Sequence, residues 1–150
     1  SNEGCIVGKV YMDCDGNSAH GNDGGSRELG IPGVRLVMLD GSFIVTDNEG
    51  KYSLCGVKPQ THVIKVDRTT LPRGARLMPS SNRNAGVGDS LFVEMRGGEL
   101  ARADFIEGSC SPEVLEQVKA RRAEGGVNLP QPDRQLQPVT PGAPLGGGLR

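Results

Sequence analysis

The chain is predicted to be an all-β sandwich of about seven strands, followed by one short helix and an extended tail. Three observations carry this reading. Glycine and proline are abundant, at 23 and 10 residues, and such punctuation favours short strands joined by turns over long helices. Short apolar runs, several of them alternating with polar residues, recur at close spacing between residues 5 and 107, as in a two-layered β fold. Aromatic content is 3% with no Trp, so the core must be built from Val, Ile, Leu and Met. A length of 150 residues fits one domain plus a tail. The sandwich is expected over residues 4–108, the helix over 111–124, and a Pro/Gly-rich linker or tail over 125–150.

The elements follow in order. "CIVGKVYM" at 5–12 reads as a first strand, and "GVRLVMLD" at 33–40 as a second, with Val34, Leu36 and Met38 alternating against Arg35. Asp40-Gly41 is a hairpin signal, leading into a third strand, "FIVTD". "NEG" at 48–50 turns into a fourth, "KYSLC". "THVIKVD" at 61–67 is a fifth, enriched in Thr, Val and Ile. Residues 68–90 read as one long irregular loop, which implies function or poor order. "SLFVEMR" at 90–96 and "LARADFIE" at 100–107 make the sixth and seventh strands. The predicted core is Ile6, Val10, Val34, Leu36, Met38, Val45, Tyr52, Leu54, Ile64, Val66, Val93 and Phe105. Beyond it, Ser111 suits a helix cap, Pro112 the first helical position and Gly125 the stop. Val114, Leu115 and Val118 form its narrow apolar stripe. From Gly126 the chain is too rich in Pro and Gly to build a core.

Composition excludes some functions. A net charge of −1 implies no basic patch of the kind that binds nucleic acid. No run of about 18 apolar residues is present, so no membrane-spanning helix is expected. No signal peptide is legible, but Ser1–Gly4 reads as a processing remnant, so export is not argued against. Neither histidine lies in a nucleophile motif. His62 alternates with Ile64 and Val66 and reads as a hydrogen-bonded core histidine, and His20 as a surface residue. No catalytic residues are assigned, and the chain is not expected to be an enzyme.

The segment after the first strand is the chemical focus. Asp13, Asp15 and Asn17 stand at alternate positions, followed by Asp23 and Glu28. Oxygen donors at that spacing can wrap a hard cation such as calcium. Against an EF-hand loop the first three positions fit, but Ser18 stands where glycine is required and Gly24 where glutamate is required. The EF-hand is therefore excluded. A looser calcium loop stays open, with Asp13, Asp15 and Asn17 as one arm and Asp23 or Glu28 closing it. So does a plain solvated turn of Asp, Asn, Gly and Ser.

Several of these pieces occur together elsewhere. Gly8 and Val10 followed by Tyr11 and Asp13, "GIPGV" at 30–34, "TDNEGKYSL" at 46–54, the turn at 56–60 and the fifth strand resemble the B-type domain of serine-aspartate repeat surface proteins. They are also similar to collagen-adhesin B-type and carboxypeptidase regulatory-like modules. The resemblance covers about residues 4–67 and extends loosely to "RADFIE". It implies an immunoglobulin-like or prealbumin-like sandwich, acting as a spacer or adhesive module of a secreted or surface-anchored bacterial protein. "SAHGNDGGSR" departs from the family pattern as an insertion. Some collagen-adhesin domains carry a Lys–Asn isopeptide bond; Lys9 is present, but "ARADFIEG" contains no Asn, so that bond is not expected.

Four cysteines with no C-x-x-C pair suggest two disulfides in an oxidising compartment. If each successive strand runs antiparallel to the one before, Cys55 ends the fourth strand beside Cys5. Cys110, after the seventh, shares an end with Cys14. The expected bridges are Cys5–Cys55 and Cys14–Cys110. The same parity brings the end of the third strand, with Asp47, towards the polar loop as a further calcium ligand.

The expected function is a structural or adhesive module of an exported protein, extracellular, at the cell surface or periplasmic. Its expected partners are neighbouring domains of a larger chain, or a host or cell-surface protein or glycan. The alternatives are a ligand-binding module using the 68–90 loop, with Arg68, Arg73, Arg76 and Arg83, and an accessory domain of a secreted enzyme.

Overall fold

A computed structural model describes residues 2–14, 28–84 and 86–125. In chain order the strands are β1 (Gly4–Asp13), β2 (Glu28–Gly30), β3 (Arg35–Met38), β4 (Phe43–Val45), β5 (Lys51–Val57) and β6 (Thr61–Val66). They continue with β7 (Leu77–Met78), β8 (Ser90–Glu94), β9 (Leu100–Arg102) and β10 (Phe105–Glu107), and helix α1 spans Pro112–Ala123. The strands form two sheets whose inner faces share one apolar core. The fold is an all-β sandwich with one helix.

β1 organises the first sheet. Its first half pairs antiparallel with β5 and parallel with β9. Its second half pairs antiparallel with β2 and parallel with β10. Val10 N–H donates to the Gly50 carbonyl and the Val10 carbonyl accepts from Ile31 N–H, both at 2.8 Å. β5 and β2 therefore lie end to end along one edge of β1. β7 closes the far side against β10. The second sheet is antiparallel throughout, in the order β4-β3-β6-β8.

Alternation explains which residues face inward. On β1 they are Ile6, Gly8, Val10 and Met12; opposite them stand Leu36, Met38, Ile64, Val66, Leu91 and Val93. All twelve predicted core residues are buried. Gly8 is glycine because the Tyr52 ring and the Ala103 backbone occupy the space of a Cβ. The Asp40-Gly41 hairpin forms with Gly41 at φ 87°, and Ser42 N–H donates to the Asp40 carboxylate at 2.8 Å. That φ is costly for any residue carrying a Cβ.

Three expectations change. The seventh strand breaks into β9 and β10 at Ala103–Asp104. There Lys9 N–H donates to the Asp104 side chain at 2.9 Å instead of to a backbone carbonyl, and the Ala103 carbonyl accepts from the Tyr52 hydroxyl. The 68–90 segment is not one irregular loop. It holds two 3₁₀ turns, Arg68–Thr70 and Asn82–Asn84, with β7 between them. Asp67 caps the first turn through Thr69 N–H at 3.1 Å. Buried Asn84 ties the second, its Oδ1 accepting from Ser80 and Ser81 N–H and its Nδ2 donating to the Ser90 carbonyl at 2.9 Å. His62 is not a core residue; it is only partly buried near one end of β6, and its Nε2 donates to the Lys58 carbonyl at 2.7 Å.

Ser111 caps α1 by accepting from Val114 N–H at 3.2 Å. Val114 and Val118 sit in the common core. At the helix end Arg121 donates to the Pro32 carbonyl, and Arg122 to those of Gly30 and Asn48. Cations at a helix C-terminus also complement its dipole. The expected tail beyond Gly125 lies outside the described residues.

Candidate functional site

The outward face of β1 carries Lys9, Tyr11 and Asp13 on alternate positions, and Asp13 is the register partner of Glu28 on β2. Lys9 Nζ stands 3.2 Å from Glu28 Oε1 and 5.8 Å from the centre of the Tyr11 ring. Asp104 joins the group through the Lys9 backbone and through Arg102 Nε at 2.9 Å. Tyr11 is only 1% exposed. Burial, followed by the charges of Glu28, Asp104 and Asp13, pushes its hydroxyl up to about 12. Burial likewise raises the Tyr52 hydroxyl above its usual range. Both phenols therefore give up their proton less readily than an exposed tyrosine.

Of the expected calcium ligands, Asp13 and Glu28 are brought together at the base of the polar loop, opposite each other in register. Asp15, Asn17 and Asp23 lie outside the described residues, as does His20. Asp47 serves the turn between β4 and β5, its Oδ1 accepting from Glu49 and Lys51 N–H, each at 2.9 Å. Among the described residues no three His, Cys, Asp or Glu side chains form a metal-holding group.

The two disulfides are Cys5–Cys55 and Cys14–Cys110, the pairs that strand direction predicts. Cys5 and Cys55 are register partners on β1 and β5, with Cα atoms 4.1 Å apart. Cys14, just past β1, reaches Cys110, just before α1, with Cα atoms 5.2 Å apart. The parallel β1–β10 pairing makes this second bridge possible, because both strands end at the same end of the sheet.

Beside that bridge lies a residue that the sequence did not single out. Glu107 is 0% exposed. Its Oε2 accepts from Arg76 N–H at 2.8 Å and Ser109 Oγ at 2.6 Å. Its Oε1 accepts from Ser109 N–H at 3.1 Å and Cys110 N–H at 3.2 Å. One carboxylate thus pins the segment before β7, the end of β10 and the turn carrying Cys110. Cys110 has φ 46°, a left-handed conformation unusual for a residue with a Cβ. The one available signal was an acid followed by "GSCSP", whose Ser and backbone N–H groups need an acceptor.

The four candidate arginines sit on a braced segment rather than a free loop. Arg68 pairs with Asp89 at 3.7 Å. The Arg73 backbone is clasped on both its N–H and its carbonyl by Gln117 of α1, at 2.9 Å each. Arg76 is held by Glu107 and Gly108. Arg83 N–H donates to Ser81 Oγ at 3.2 Å within the second 3₁₀ turn. Arg68 lines a hollow of about 540 Å³ on the outer face of the second sheet, floored by Val37, Leu39 and Val63.

No helix among the described residues is long and apolar enough to cross a membrane. No family model matches the chain, and no curated protein matches it.

Proposed function

We propose that the chain is a structural module of an exported bacterial surface protein, a spacer of the kind its B-type resemblance implies, working outside the cytoplasm. The observation that carries this reading is the Cys14–Cys110 bridge between the end of β1 and the start of α1. Tension applied at the two chain ends passes along β1, crosses the bridge and leaves through residues 111 onward. The chain between the two cysteines, a separation of 96 positions, is thereby shielded from force. An adhesive role fits the same arrangement, because a ligand-bearing surface would keep its shape under load. Disulfides persist in oxidising compartments, which supports the extracellular or periplasmic reading.

Single-molecule pulling of the full chain tests it. Oxidised protein is expected to show no unfolding step for residues 15–109. Reduced protein is expected to release roughly 320 Å of contour length. A release of that size from oxidised protein would overturn the reading.

The polar loop is proposed to take calcium, with Asp13 and Glu28 at its base and Asp15, Asn17 and Asp23 completing the donor set. Carboxylates gathered on one loop repel each other without a counter-ion. After exhaustive chelation, millimolar calcium is expected to raise the melting temperature and release heat in calorimetry. No shift and no heat would remove the ion from the account.

A further inference from the structure

The second sheet leaves one face outside the core, and that face is unexpectedly apolar. Val37 is the register partner of Phe43, and Val63 that of Phe92. Leu39 follows Met38, whose partner is Ile64, so it lies level with Val63. Together they form a band from β4 to β8, bordered by the exposed Lys65, the register partner of Val37 and Ser90. Leu39 is 84% and Phe92 45% exposed; Val37, Phe43 and Val63 are half-buried. Single exposed apolar side chains are ordinary, but a continuous band of this kind marks a contact surface.

We propose that this face is covered by the chain's own Pro-rich segment, residues 127–139, "VNLPQPDRQLQPV". Three observations select that occupant. The first is where the described chain stops. Arg121 and Arg122 are anchored to the carbonyls of Pro32, just before β3, and Asn48, just after β4. Gly125, at φ 62°, then turns the chain off the helix axis at that corner. Phe43, the band's member on the β4 edge, lies five positions before Asn48, towards the hairpin end of that strand. The second is reach. At about 3.1 Å per residue in the polyproline conformation, the segment spans roughly 40 Å, more than the roughly 15 Å from the first strand to the fourth.

The third observation is area. A four-strand face five residues long covers roughly 300 Å² in plan, well short of the ~800 Å² per partner of a stable dimer. A tethered segment does not need that area, because its effective concentration is on the order of millimolar. Its chemistry suits the face as well. Pro130, Pro132 and Pro138 lack a backbone N–H and favour extended backbone, and Leu129, Leu136 and Val139 supply apolar side chains. Extended Pro-rich chains are bound by apolar, aromatic-bearing surfaces in this way.

Nuclear magnetic resonance on the full-length chain tests the proposal. Cross-relaxation is expected between the Phe43 and Phe92 ring protons and the Leu129 and Leu136 methyls, with backbone order parameters above about 0.6 over 129–139. The variant L129S/L136S, which changes no residue of the sandwich, is expected to lose both signals. The variant Val63→Lys is expected to lose them while the Ile6 and Leu54 methyl resonances stay in place. Order parameters below about 0.6 with no ring–methyl contacts in the unaltered chain would overturn it. So would concentration-dependent broadening of Val37 and Phe92 without tail contacts, which would make a second copy the occupant.

Discussion

Replacing Glu107 with alanine is expected to lower the unfolding free energy by about 3–5 kcal/mol, read from a urea transition with unchanged slope. The magnitude follows from what is left behind. The Arg76, Ser109 and Cys110 N–H groups and the Ser109 hydroxyl all donate to this one carboxylate. Without it they are stranded in a site with no exposure at Glu107. Each buried donor without an acceptor costs about 1–3 kcal/mol, with partial relief as the turn relaxes. Glu107→Gln should cost less, because the amide keeps one acceptor oxygen but turns two donors towards groups that are donors themselves. A loss below 1 kcal/mol for the alanine variant would show that the turn before α1 does not depend on this acid.

Removing the second bridge as C14S/C110S is expected to cost about 4 kcal/mol under non-reducing conditions. In the chain-entropy model a loop of about 100 residues is worth nearly 5 kcal/mol. Cys5–Cys55 already shortens the unfolded path between the two cysteines, which trims the gain by a few tenths. The double serine variant avoids a free thiol that could reshuffle. Its loss should appear as faster unfolding and as the same contour-length release seen on reduction. A change under 1 kcal/mol would mean that β1 and β10 stay paired without covalent help.

The two predictions fall in parts of the protein that were unequally readable. The bridge could be derived from strand direction, because an odd-numbered strand must end where the first one ends. The insertion of β2 and β7, and the division of the seventh strand, left that parity intact for the four cysteines. Glu107 could not be derived. It stands on β10 where alternation marks no special role, and its four donors come from a neighbouring turn and from Arg76, 31 positions away. The 68–90 segment was misread for the same reason. Its order comes from Gln117, Glu107 and Asn84 binding backbone groups, which no local pattern announces. β2 and β7 are three and two residues long, too short for a period to register, and exist because β1 and β10 offer them an edge.

The sequence by itself determined what local physics controls. Alternating apolar residues chose the inward faces, Asp40-Gly41 chose a hairpin, and Ser111, Pro112 and Gly125 bounded the helix. Each depends on side chains within a few positions of one another. Tertiary structure alone decided the parallel pairing of β1 with β9 and β10, the burial of a hydrogen-bonded carboxylate at Glu107, and the apolar band left outside the second sheet. Those depend on which distant segments meet, and that is settled by the packing of the whole core.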